Sequence, residues 1–200
     1  MTYTIKSETK KDWTFVAFFT EEYEEEFLNL LSSIMNFDVN FYGIKVESKK
    51  SWDENTHYKP TVILDAMNET NMNIVYIDAD ATLERQPTLF DNIKTDIAYH
   101  VLRHRLEVSE LLSGTLYFKN NDKVKVFLQS WIKDCQGNYD ITDQKKLEVL
   151  VEKEGKLATQ ELPVEYCAIF DHKSARNKDI VIKHHQASRR LRKVANARRV

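Results

Sequence analysis

Glycine and proline are scarce in this 200-residue chain, at four and three residues. Regular elements joined by short turns are what remains when both punctuating residues are rare. Cysteine is scarcer still: Cys135 and Cys167 stand far apart with no CxxC partner, which excludes a zinc ribbon and a disulfide framework and fits a reducing cytosol. No apolar run approaches the ~18 residues that span a bilayer. The opening MTYTIKSETKKDW lacks the apolar core of a signal peptide, so neither export nor membrane insertion is predicted and the expected location is cytoplasmic. GxGxxG, GxxxxGK[ST] and GxSxG are all absent, which counts against dehydrogenases, ATPases and serine hydrolases. HExxH is missing too, so His100 and His104, four apart with Glu107 nearby, read as a solvated or structural pair rather than a zinc face.

What is present is the composition of a soluble globular protein, 42% hydrophobic, 11% aromatic and 30% charged. The length predicts one domain over residues 1–200 with a full core, needing no oligomer or disulfide for stability. A formal net charge of −2 conceals an asymmetry. Seven of the 29 basic residues fall within 183–200, where there is no acid, leaving the rest of the chain with 22 bases against 31 acids. A basic C-terminal segment on an acidic body points to a polyanionic contact.

Periodicity orders the first half. DWTFVAFFT (12–20) reads as a buried strand, and Phe27, Leu30, Leu31 and Ile34 follow at helical spacing with Thr20 as a candidate N-cap. Residues 38–47 read as a second strand, 51–69 as a loop running into a second helix, and MNIVYIDAD as a third strand. This βαβαβ order predicts an α/β fold with a mostly parallel central sheet flanked by helices. Further strands are expected at 96–101, 113–120 and 157–163, and helices at 121–135 and 142–154. The closing SRRLRKVANARR reads as a basic helix or a disordered segment. No internal repeat or linker interrupts the chain.

The third strand ends in Asp78-Ala79-Asp80. Aspartate is an ordinary turn residue, so a plain strand exit is one reading. The other is a metal site: in open α/β sheets ligands collect beyond the carboxyl ends of the strands, and hard divalent cations take carboxylate together with phosphate oxygens. A calcium loop starting at Asp78 fails, because Leu83 and Leu89 would stand where Gly and Glu are required.

Five segments in order, HYKP, IVYIDADATLERQPTLF, SGTLYFKNN, TDQKKL and VIKHHQASRRLRK, resemble the small GT-A type glycosyltransferases, the nucleotide-diphospho-sugar transferases, over residues 13–193. The resemblance implies a Rossmann-like single domain and an enzyme transferring sugar from a nucleotide-diphosphate sugar, UDP-sugar being the common donor. In that family the DxD acids bind Mn2+ or Mg2+ on the donor diphosphate, which falls here on Asp80, with Asp78 touching the ion or the ribose. A C-terminal histidine completes the coordination, matching His184 with His185 as its neighbour. Lys59 matches a lysine that reaches the nucleotide or its phosphates, and Ser113 and Gly114 match the donor-sugar segment. Asp143, with Gln144 second, matches the group facing the reacting sugar and acceptor, although an acid there is also an ordinary helix cap. Arg189 and Arg190 are expected to neutralise phosphate.

The basic C-terminus adds nucleic acid as an acceptor class, for instance a hydroxymethylated base of phage DNA in an infected host cell. Carbohydrate or protein glycosylation, and a non-catalytic nucleotide-sugar or nucleic-acid binding module, are the alternatives.

Overall fold

The strand WTFVAFF is buried along nearly its whole length, as expected for a strand covered on both faces. In the computed structural model, which describes residues 1–103, 109–137 and 139–190, it is β2 (Trp13–Phe19) near the middle of a seven-stranded sheet. Its partners are β1 (Thr2–Ile5), β3 (Phe41–Lys45), β4 (Asn73–Ile77), β6 (Ile97–Arg103), β7 (Ser109–Phe118) and β8 (Thr159–Glu161), in the spatial order β1-β3-β2-β4-β7-β6-β8. Strands β3, β2 and β4 run parallel, as do β6 and β8, whereas β1 and β7 pair antiparallel with their neighbours. The expected α/β architecture is present. Its parallel character belongs to the βαβαβ half, because β7 returns antiparallel beside β4.

Alternation along the strands divides the core into two layers. Trp13, Phe15 and Phe19 of β2 and Val75 and Ile77 of β4 face α1 (Glu24–Ile34), which contributes Phe27, Leu30 and Ile34. Val16, Ile74 and Tyr76 face the other way, onto α3 (Lys59–Thr70) and α4 (Asp122–Cys135), whose Val62, Met67, Phe127 and Trp131 are buried there. Fully buried side chains of this size each stabilise by about 1.5–3 kcal/mol. Gly43 permits one close approach: a β-carbon there would lie 2.5 Å from Phe27 Cζ.

Helix α5 (Asp143–Lys153) is capped by Thr142, whose side chain accepts from the Lys145 amide. The Asp143 carboxylate is therefore not needed as a cap. Thr20 does not cap α1; it precedes a 3-10 turn at Glu21–Tyr23 and makes no side-chain cap bond. A short α2 (Trp52–Thr56) is capped by Ser51.

Four short strands escape the sequence reading. One is β1. The other three, β5 (Ala81–Leu83), β9 (Ala168–Ile169) and β10 (Ile182–His184), form a separate small sheet in the order β5-β10-β9. Segments of two to four residues hold too few side chains for a period-2 pattern to register. His100 is a buried structural histidine of β6, its Nδ1 donating to the Leu162 carbonyl at 2.8 Å; His104 and Glu107 lie outside the described residues. So does most of the closing basic segment, of which residues 188–190 open a helical turn.

Candidate active site

Strand β4 delivers Asp78 to its carboxyl end, and two neighbours build the rest. β6 and β7 pair in register until Tyr99 faces Leu116, after which His100 faces Leu112. Residues 113–115 of β7 thus have no partner on β6, a bulge that releases them toward the end of β4. Asp78 closes onto this bulge, its amide donating to the Gly114 carbonyl at 2.9 Å.

The small sheet supplies the third element. β5 leaves directly from Asp80, and β10 pairs antiparallel to it with His184 opposite Ala81. A residue more than a hundred positions away is thereby set beside the two aspartates. Asp78, Asp80 and His184 offer ligand atoms that all lie within 4.8 Å of one another. The His185 ring turns elsewhere, its Nε2 lying 3.0 Å from Thr82 Oγ1.

His184 is 2% exposed. Burial holds its pKa down at about 4, so the ring is neutral near pH 7. Nε2 lies 2.8 Å from Thr115 Oγ1; with the Nε2 proton donated to that hydroxyl, the Nδ1 lone pair faces Asp80 Oδ1 at 4.0 Å. This is the arrangement by which an outer hydrogen bond fixes the tautomer of a metal-binding histidine. Asp80 is pushed up to about 7, by burial first and by the neighbouring Asp78 second. Its Oδ2 accepts from the Ala187 amide at 2.7 Å and its carbonyl accepts from the His185 amide at 3.0 Å. The residues following β10 are thus folded back over the aspartate as a strap.

Lys59 opens α3 and is almost fully buried. Its ammonium lies 3.3 Å from Asp78 Oδ1 and 3.1 Å from Asp143 Oδ2, donates to Ser113 Oγ at 3.0 Å, and sits over the Tyr76 ring. Burial opposes the charge, yet Asp143 and Asp78 outweigh it and hold the Lys59 pKa above its ordinary value. Among the described residues Asp143 Oδ2, which is buried, accepts no hydrogen bond of good geometry, and the Lys59 ammonium at 3.1 Å is what compensates it. Tyr76 donates to Asp78 Oδ1 at 2.9 Å. Gln144 fastens the head of α5 to β7, accepting from the Ser113 amide at 3.0 Å and donating to Glu110 at 2.6 Å.

Lys59, Tyr76, Asp78, Asp80, Ser113, Asp143 and Gln144 line one cleft of about 380 Å³, with His184 behind the aspartates; Trp52 and Tyr23, joined by a 3.0 Å hydrogen bond, and Gln186 and Ser188 of the strap complete its lining. Among the described residues its lining holds four carboxylates, Asp78, Asp80, Glu110 and Asp143, against one cation, Lys59. The expected phosphate-binding arginines stand apart from that lining: Arg189 pairs with Asp171 at 2.5 Å, and Arg190 pairs with Glu26.

The sequence singled out Lys59, Asp78, Asp80, Ser113, Gly114, Asp143, Gln144 and His184, and the fold gathers all eight around this cleft and its bulge. It did not single out Tyr76, Thr115, Tyr23 or Trp52. Tyr76 stands two residues before Asp78 on the same strand face, a period-2 signal available from the sequence. Thr115 becomes visible only with the bulge, and the Tyr23–Trp52 pair only in three dimensions.

No family model and no curated protein matches the chain. Solved structures do. A glycosyltransferase involved in the glycosylation of the major capsid of PBCV-1 superposes with a TM-score of 0.68 at 16% identity, over 95% of this chain and 100% of that one. The glycosyltransferase GlyE of Streptococcus pneumoniae TIGR4 superposes at 0.63 and 14% identity over 94% of this chain, which spans 60% of GlyE. The galactosyltransferase LgtC, solved with donor and acceptor sugar analogs, superposes at 0.54 and 9% identity, covering 92% of this chain and 95% of that one. At such identities it is the fold that is shared, and the chain has the GT-A type α/β fold of these proteins.

Proposed function

We propose that this protein is a metal-dependent glycosyltransferase that moves a sugar from a nucleotide-diphosphate sugar, with UDP the expected nucleotide, to an acceptor hydroxyl. The observation that carries this reading is the convergence of Asp78, Asp80 and His184 within 4.8 Å at a cleft whose described lining holds four carboxylates and one lysine. A diphosphate entering that cleft alone would meet like charge. A divalent cation held by the three residues reverses the local field. Two carboxylates and a neutral imidazole suit Mn2+, and Mg2+ through the carboxylates. When bound, such an ion supplies Lewis-acid and electrostatic stabilisation of the departing diphosphate.

The remaining roles fall to the chain's own groups. Lys59 holds the Asp78 and Asp143 carboxylates toward each other, and a direct contact with phosphate would require it to give up one of them or its bond to Ser113. Asp143 acts on the reacting centre, as general base on the acceptor hydroxyl if configuration inverts, or by steadying an oxocarbenium-like sugar if it is retained. Gln144 keeps Asp143 in register with the Ser113–Gly114 edge, where the donor sugar rests against backbone. The Tyr23–Trp52 wall offers the nucleobase an aromatic surface.

A glycan acceptor is favoured over nucleic acid by one observation. Arg189 and Arg190 are both paired with acids, which leaves a DNA reading to Lys183 and to Arg192, Lys193, Arg198 and Arg199, the last four outside the described residues.

Thermal unfolding with UDP and Mn2+, in the native protein and in Asp80→Asn, tests the proposal. At ~100 times its dissociation constant a ligand stabilises by about 2.7 kcal/mol. Stabilisation that requires Mn2+ and vanishes in Asp80→Asn is the expected result. No metal-dependent shift with UDP or any other nucleoside diphosphate overturns the reading. Glycosyl transfer to hydroxymethylated duplex DNA but to no saccharide would overturn the glycan preference.

A further inference from the structure

A second and wider cleft, of about 770 Å³, opens beside the small sheet. β10 connects the two. His184 faces the aspartates, while Lys183, one residue earlier and on the opposite face of the strand, lines this second cleft. The strap after β10 separates them: Gln186 and Ser188 border the first cleft, and Arg189 reaches over Phe170 on the side of the second.

Its charged groups are unevenly engaged. Of the two acids in its lining, Asp171 is paired with Arg189 and Glu84 accepts from the Thr82 hydroxyl at 2.6 Å. Arg85 is paired with Asp179. Arg176 and Lys183, in contrast, form no ion pair among the described residues. Two cations without an ion pair thus face a concavity in which, among the described residues, Asp171 is paired and Glu84 alone keeps an uncompensated charge. A site of this kind attracts an anionic group.

Apart from His172, the rest of the lining is apolar. Ala168 and Ile169 lie on β9, Ile180 sits at the approach to β10, and Phe170 is 50% exposed. An aromatic ring held in place at a cleft wall suits the apolar face of a sugar ring, and here His185 stacks near it at 6.3 Å between ring centroids. Inorganic phosphate would use the cations and leave Phe170 idle, and a neutral sugar would do the reverse.

We propose that the second cleft binds an anionic saccharide, a sugar bearing phosphate or carboxylate, through Arg176, Lys183 and Phe170. It thereby anchors the non-reacting part of the acceptor glycan. The anchoring role rests on the transferase reading above; the binding site does not. An extended acceptor lying across the strap would have its anionic part held on one side while its hydroxyl enters the first cleft on the other.

The test is a backbone amide NMR titration of the full chain with four probes, glucose 6-phosphate, glucuronic acid, glucose and inorganic phosphate, repeated in Arg176→Ala, Lys183→Gln and Phe170→Ala. The expected result is shifts at residues 169–176 and 182–185 from one or both anionic sugars. Loss of one charge-assisted contact weakens binding by about tenfold, and the Phe170→Ala change weakens the sugars but not phosphate. Preference for glucose 6-phosphate over glucuronic acid identifies phosphate as the recognised group, and the reverse identifies carboxylate. No shifts at these residues, or equal affinity for phosphate or for glucose alone, overturns the proposal. UDP with Mn2+ is titrated separately. Anionic-sugar shifts without Mn2+-dependent binding of UDP or any other nucleoside diphosphate would retain this site and sink the transferase reading, and nucleotide binding without them would do the opposite.

Discussion

Gly114 and His184 are packed so closely that the glycine is required by the histidine. A β-carbon at position 114 would lie 2.9 Å from His184 Cε1, 3.1 Å from its Nδ1 and 3.3 Å from Asp78 Oδ2. The imidazole cannot simply swing aside, because Thr115 holds its other nitrogen and the ring is buried. The glycine therefore serves the close approach of a side chain to the strand backbone.

Gly114→Ala is expected to fold and to lose metal affinity, since the methyl group occupies the space from which Nδ1 faces Asp80. The measurement is Mn2+ binding by calorimetry beside the far-UV spectrum and melting curve. A native-like spectrum with affinity reduced by roughly 10–100-fold, the range seen when the support of a ligand is disturbed, is the expected outcome. Unchanged affinity would show that His184 takes no part in binding the ion.

Thr115→Val tests the same histidine from its far side. The change keeps the shape and removes the hydroxyl 2.8 Å from Nε2, leaving a buried ring nitrogen unpaired, which costs about 1–3 kcal/mol. With its tautomer no longer fixed, His184 should also bind the ion more weakly, whereas Thr115→Ser should restore both. If Thr115→Val melts lower but binds Mn2+ as well as the native chain, the hydroxyl is a packing feature and not a support for a ligand.

The alternation of strand and helix was legible in residues 12–77 because those strands are long, apolar and buried on both faces, and α1 carries its apolar stripe at helical spacing. The carboxylates of the cleft were legible as well, since Asp78 and Asp80 stand at the end of such a strand. What the sequence could not show is how His184 arrives. That depends on β5 and β10, three residues each, whose pairing joins segments a hundred residues apart. The role of Lys59 was hidden for a related reason: an isolated lysine in a polar stretch reads as exposed, and only the folded chain surrounds it with two aspartates. The sheet's antiparallel half was missed because β7 reads as another buried strand, and apolar pattern carries no strand direction.

Lys59 should prove the most sensitive stabilising residue of the site. Removing one partner from a buried charge cluster costs about 3–5 kcal/mol, because the charges left behind are uncompensated. Lys59→Met strands Asp143, whose Oδ2 is fully buried, together with Asp78. The double variant Lys59→Met with Asp143→Asn should recover a substantial part of that loss, while Asp143→Asn alone should abolish transfer and lose less stability than Lys59→Met, because Asp78 stays beside the ammonium at 3.3 Å. Denaturant unfolding of the three variants measures this. A Lys59→Met single variant within ~1 kcal/mol of native, the value of an exposed pair, would mean that the lysine is not the hub its distances indicate.

The pH dependence of the metal-free protein follows from two neighbours shifted in opposite senses. Asp80 is raised from 3.8 to about 7, so between those values the folded chain holds a proton that the unfolded chain has released. Stability from this group falls as pH rises through that window, and the loss is complete above about 7. His184 is lowered from 6.5 to about 4. There the unfolded chain holds the extra proton, so stability rises with pH between about 4 and 6.5. The two trends offset one another across the shared window, and Asp80 alone acts from 6.5 to about 7. In Asp80→Asn only the histidine remains, so the native stability minus that of the variant should decline steadily from pH 4 to 7. Mn2+ relieves the same strain, because it takes the place of the proton on Asp80. The stabilisation it confers should accordingly be larger at pH 8 than at pH 6 in the native chain and small at both in Asp80→Asn. Melting curves at four pH values, with and without Mn2+, measure all of this. A Mn2+ shift independent of pH would mean that Asp80 is already ionised when the ion arrives and that burial does not raise its pKa.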